Sequence, residues 1–177
     1  MSELDAEWAR RVEEAEARAR AVGRGDVAEY LSLRASNDAA RAVGCAWLVE
    51  AFQTAAGEAN RAGASLTVSA EDAHRFRVGN STMVGRRLTL RAGVRAVTVE
   101  AGWPRSPRDG VVRGGGLARA RVSHFGDRAA GEELLLVRDA DGTPRWLTLE
   151  NDGAAALRTR QNFSESRARA HVTRLLG

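Results

Sequence analysis

Three histidines, one cysteine and 23 acidic side chains are the groups here that could move protons or hold a metal ion, and their spacing offers little chemistry. His74, His124 and His171 lie far apart. Ser123 and His124 are neighbours on an extended segment, so they point to opposite faces and cannot act as a nucleophile–base pair. Asp109 with His124, assisted by Arg105 and Arg113 and walled by Trp103, is the one grouping that could combine acid–base work with an anion clamp. It requires the segment 101–116 to fold over the strand expected at 117–125. His124 shares a face with Ala120 and Val122, which suits a core histidine better. Asp72 and His74 make two ligands where a metal needs several. Cys45, inside the apolar run 42–49, reads as a small buried hydrophobe. No catalytic residue, metal or cofactor is assigned.

Binding is better represented than catalysis. All 27 basic residues are arginine, and a GC-rich bacterial genome is the plain cause. The guanidinium fork nevertheless matches phosphate with two parallel hydrogen bonds. The charge is unevenly placed. Residues 1–73 carry 8 Arg and 13 acids, residues 74–128 carry 12 Arg and 3 acids, and residues 129–177 carry 7 of each. Confined charge makes a local field even when the total is only +4.

Strand alternation sets Arg75 and Arg77 opposite His74, Phe76 and Val78. It sets Arg87 and Arg91 opposite Leu88 and Leu90, and Arg119 and Arg121 opposite Ala118, Ala120 and Val122. Adjacent strands would gather these six, with Arg105 and Arg113 from the loop, into an anion-binding face. A solvated outer face is the plainer alternative. Trp103 and Trp146 are candidates for stacking on bases. Trp146 alternates with Leu147 and Leu149 and is expected to face solvent with Thr148. Arg113 followed by three glycines exposes backbone N–H groups, but no Gly-Lys-Ser/Thr and no helix follow, so a turn is the better reading. No zinc-finger spacing, helix-turn-helix or RNP signature is present.

The elements that would position these groups follow from periodicity. Ser2 and Asp5 suit a helix start, and Leu4, Trp8, Val12, Ala15, Ala19 and Val22 form one stripe that Gly23 ends. A short helix is expected over 27–33, then a long one over 38–61, apolar nearly all round in its middle and so central to the fold. From residue 65 the period becomes two. Strands are expected at 65–69, 74–78, 82–91, 95–100, 117–125, 133–138 and 145–150, with turns at Gly79-Asn80 and at 139–142. A last helix, capped by Asn162 or Ser164, runs to Leu176. Strands without intervening helices argue an antiparallel sheet. The expected architecture is α+β: helices over 1–63, a curved sheet or half-open barrel of six or seven strands over 64–150, and a terminal helix within 151–177, forming one domain.

No signal-like leader is visible, and the longest uncharged apolar run is far short of the ~20 residues a membrane span needs. The expected setting is cytoplasmic, without a membrane partner. The first functional expectation is a non-enzymatic protein holding nucleic acid or another polyanion on the arginine face. The alternative is a scaffold or assembly subunit binding itself or a protein partner through the acidic N-terminal helix. The third is a small-ligand enzyme with its site in the 100–125 region.

Overall fold

A computed structural model describes residues 3–151 and 157–177. It contains α1 (Glu3–Ala21), α2 (Gly25–Arg61), seven strands and α3 (Glu165–Leu176). The strands are β1 (Thr67–Val78), β2 (Ser81–Ala92), β3 (Arg95–Trp103), β4 (Ala118–His124), β5 (Asp127–Arg138), β6 (Pro144–Asn151) and β7 (Leu157–Asn162). They form one open antiparallel sheet in chain order, the α+β architecture expected. The Ser2 cap lies outside the described residues. Residues 1–42 and 43–177 are two separate structural units.

In residues 1–42, α1 and the first part of α2 make a helical hairpin. Gly23 turns it at φ 75°, and Gly23 N–H and Arg24 N–H donate back to the carbonyls of Arg20 and Ala19. The expected separate helices at 27–33 and 38–61 are one continuous helix. Ser36, Asn37 and Asp38 read as a cap, but neither glycine nor proline stands there to break the helix.

In residues 43–177, the rest of α2 lies on the sheet. Cys45, Leu48, Val49, Phe52, Ala55 and Ala56 recur at helical spacing and share one core with residues of β2 to β6 and α3. The strand register carries that core across the sheet. Leu88 faces Val99, Val99 faces Val122, Ala120 faces Leu134, and Leu136 faces Trp146. Trp146 is 1% exposed, and its indole N–H donates to the Gly44 carbonyl at 2.8 Å. The solvent-facing orientation expected for Trp146 and Thr148 is therefore corrected: both are buried and their neighbours Leu147 and Leu149 take the other face. The pattern Trp-Leu-Thr-Leu alternates equally well either way, and the large indole wins the interior.

The two segments expected at 65–69 and 74–78 are one strand with a β-bulge. Pairing with β2 shifts between Glu71 and His74, and Ala73 takes φ 57°. An alanine enters that region at a cost of about 1–2 kcal/mol. The extra residue reverses which face each later side chain of β1 occupies. Strand β7 adds an edge not expected from the sequence.

Candidate functional site

The face of the sheet opposite the core carries a ladder of alternating charge. Glu71 stands opposite Arg87, Arg87 opposite Glu100, Glu100 opposite Arg121, and Arg121 opposite Glu133, across five strands. Opposite charges directly across a strand pair stabilise the sheet by a few tenths to about 1 kcal/mol each. Arg87 Nη2 lies 2.5 Å from Glu71 Oε2, and Arg121 Nη1 lies 3.8 Å from Glu100 Oε2. His74 donates from Nε2 to Glu100 Oε1 at 2.8 Å, and Arg121 Nη2 donates to the Arg77 carbonyl at 3.0 Å. Arg119 is 3% exposed and pairs with Glu133. Burial lowers the Arg119 pKa, and the Glu133 charge opposes that.

The eight arginines expected to form one face are thus divided. Arg87, Arg91, Arg119 and Arg121 share the outer face by register, and three of them are paired with carboxylates. Arg75 and Arg77, beyond the bulge, lie opposite Val84 and Thr82 and so belong to the other face. Arg75 pairs with Asp109 at 3.1 Å. Arg105 sits 3.8 Å above the Trp103 ring. Arg113 is exposed in the loop. Neither tryptophan offers an open face: Trp103 is 6% exposed within the core cluster, and Trp146 is interior.

The Asp109–His124 grouping does not form. Gly102 pairs with Arg119 at one end of β4 and Val97 pairs with His124 at the other, roughly 17 Å apart along the strand. Asp109 is used locally. It accepts from the Ser106 hydroxyl at 2.9 Å and the Ser106 N–H at 3.0 Å, and these bonds with Arg75 nearby hold its pKa down. The loop crosses to the start of β2, where the Ser81 hydroxyl donates to the Val111 carbonyl.

His124 instead meets α3. Its Nε2 lies 2.9 Å from His171 Nδ1, one ring donating to the other. His171 is 6% exposed, with its Nε2 facing Glu132 Oε1 at 3.5 Å. Arg167 Nε donates to both Glu132 oxygens at 2.9 Å, and Arg174 reaches Asp127 at 2.8 Å. The rings of Phe52 and Phe163 flank His171 at 5.8 and 6.2 Å. Sequence separation hid this cluster, because its members come from β4, β5 and α3. Among the described residues, no group of three or more His, Cys, Asp or Glu could hold a metal ion.

The helical hairpin is the other notable surface. Among its described residues it buries only Val12, Ala19, Ala28 and Ala40. Trp8, Tyr30 and Leu33 remain 46%, 62% and 59% exposed, and Val22 is exposed as well. Trp8 and Val22 of the expected α1 stripe are therefore uncovered, while Val12 and Ala19 are buried. Four ion pairs lie within the hairpin's helices among the described residues: Arg11 pairs with Glu7, Arg10 with Glu14, Arg20 with Glu16 and Arg41 with Asp38. Arg34 lies 5.2 Å above the Trp8 ring.

These surfaces define an α+β chain with a charge-laddered open sheet and an apolar-faced helical hairpin. No family model matches the chain, and no curated protein or solved structure matches it significantly. None of the described helices is long and apolar enough to cross a membrane.

Proposed function

We propose that the protein is an assembly subunit whose N-terminal hairpin docks on the hairpin of a second copy. The observation that carries this is the mismatch between what the hairpin buries and what it exposes. A unit of about 40 residues whose described residues bury one valine and three alanines has too small a core to stabilise itself. Two such hairpins packed as four helices would cover Trp8, Tyr30 and Leu33. With 7 Arg against 9 acids over residues 1–42 and four ion pairs made along the helices among the described residues, like surfaces can approach without strong repulsion. In sedimentation velocity, the full chain is expected to run as a dimer. The Tyr30→Asp/Leu33→Asp double variant is expected to run as a monomer with its sheet intact by circular dichroism. A monomeric parent chain at micromolar concentration sinks the idea, and a parent that dimerises equally well after the substitutions sinks it too.

A polyanion-binding role is the second reading. Its support is composition: residues 43–177 hold 20 Arg against 14 acids, and Arg77, Arg91 and Arg113 are exposed with no carboxylate partner among the described residues. That reading expects oligonucleotide binding that falls steeply with salt. Failure to bind at low ionic strength would end it.

A further inference from the structure

One end of the sheet combines exposed apolar side chains with exposed arginines. The β2–β3 turn is closed by the Ala92–Arg95 pair and carries Val94, 85% exposed at its tip. Beside it, Phe125 N–H donates to the Ala96 carbonyl at 2.8 Å, which sets Phe125 next to that turn with its ring 77% exposed. The end of α3 reaches the same place. Arg174 pairs with Asp127, a Cβ on Gly177 would stand 2.7 Å from Arg95 Nη1, and Leu176 is 43% exposed. Three apolar side chains from three elements thus crown one end of the sheet.

Arginines surround that crown. Arg91 lies opposite Ala96 on the outer face and Arg95 opposite Ala92 on the core face, so the hairpin carries one on each side. Arg128 is exposed just past Phe125. None of these three has a carboxylate partner among the described residues, and the acid within the crown, Asp127, is already held by Arg174. Hydrogen bonding to Arg174 keeps the Asp127 carboxyl ionised and paired.

We infer that this end seats on the surface of an anionic lipid bilayer, with Val94, Phe125 and Leu176 entering the headgroup boundary and Arg91, Arg95 and Arg128 meeting lipid phosphates and carboxylates. Two features favour lipid over nucleic acid. Val94 and Leu176 are aliphatic and have no ring face on which a base could stack. The guanidinium groups surround the apolar tips, which suits a planar boundary, apolar within and anionic at its rim. The expectation of no membrane partner rested on the absence of a spanning stretch, and a surface contact needs none.

The test is co-sedimentation of the full chain with vesicles of phosphatidylcholine containing about one-third phosphatidylserine, the anionic leaflet lipid. Binding is expected at low salt, with none to pure phosphatidylcholine. Each arginine contributes about fivefold, so the Arg91→Ser/Arg95→Ser/Arg128→Ser variant should bind about a hundredfold more weakly. The corresponding lysine variant should bind within about twofold of the parent, since anionic lipid attracts either cation. Val94→Ser/Phe125→Ser should lose binding with its thermal midpoint unchanged, because both side chains sit at exposed turns. Equal binding to both vesicle types, no binding to either, or full binding by the serine variants overturns the inference. Salt-sensitive capture of a thymidine oligonucleotide, lost in the same variants while vesicles stay unbound, would overturn it in favour of nucleic acid. None of these outcomes depends on whether the hairpin dimerises.

Discussion

Gly85→Ala is expected to destabilise the protein by about 2–3 kcal/mol, while Gly57→Ala is expected to stabilise it by about 0.5–1 kcal/mol. The same added methyl meets opposite surroundings. At Gly85 a Cβ would fall against the Ala101 carbonyl and 2.6 Å from Gly102 Cα on β3. At Gly102 it would lie 2.7 Å from the Val84 carbonyl oxygen. These residues pair directly, so β2 and β3 approach too closely there for a side chain on either. What must yield is backbone, which cannot swing away as a side chain could. At Gly57, within α2, the nearest atom is Arg61 Nη1 at 3.5 Å, the end of a flexible side chain. There alanine only removes helix-opposing backbone freedom. Urea unfolding of both variants measures the pair of effects. A Gly85→Ala protein within about 0.5 kcal/mol of the parent would show that the strands can part at little cost.

The glycine pair also bears on the arginine face. Gly102 stands directly opposite Arg119, the buried arginine beside the ladder. A Cβ on either glycine meets the backbone of the other strand, so the shift it forces moves Gly102 itself, the residue paired with Arg119. Gly85→Ala is therefore expected to loosen the ladder as well as the strand pair.

Much of this architecture was legible in the residues. The apolar middle of α2, the period-two runs of β2 and β3 and the terminal helix all appear where periodicity placed them. The site was less legible, for three physical reasons. First, the 12-to-3 excess of arginine over acid in residues 74–128 treats sequence neighbours as spatial neighbours. In an antiparallel sheet the neighbours lie across the strands. Glu71 and Glu133, just outside that block, stand opposite Arg87 and Arg121 inside it. Second, alternation assigns faces only while the register holds. The bulge at Asp72 and Ala73 moves Arg75 and Arg77 away from Arg87 and Arg91, and no glycine or proline there announces it. Third, the histidine cluster joins residues 47 positions apart, a meeting that only the docking of α3 onto β4 and β5 creates.

That docking sets how the protein should respond to acid. Burial pushes the Glu132 carboxyl up, but the facing His171 ring and the Arg167 guanidinium more than offset it, and its pKa falls from 4.5 to about 2. A carboxylate held ionised in the folded chain stabilises it fully above its unfolded value. That contribution, about 3 kcal/mol, is lost as the pH falls from 4.5 toward 2. His124 acts in the same direction. Burial, then the charges of His171 and Arg174, lower its pKa below 6.5. The unfolded chain therefore takes up a proton that the folded chain resists, and stability begins to decline as the pH drops below 6.5.

Two steps are expected in unfolding free energy against pH: a smaller one below 6.5 and a larger one below 4.5. Glu132→Gln should flatten the larger step and cost about 3 kcal/mol at neutral pH, because the Arg167 guanidinium loses its carboxylate. Amide exchange in α3 should quicken in that variant before the strands respond, since Arg167 and His171 tie the helix down at this point. Exposed carboxylates such as Asp127 and Glu58 are also held down by arginines, but solvent screens them. If Glu132→Gln kept the full acid step, those surface pairs together would carry the acid sensitivity, and the histidine–glutamate contact would be packing alone.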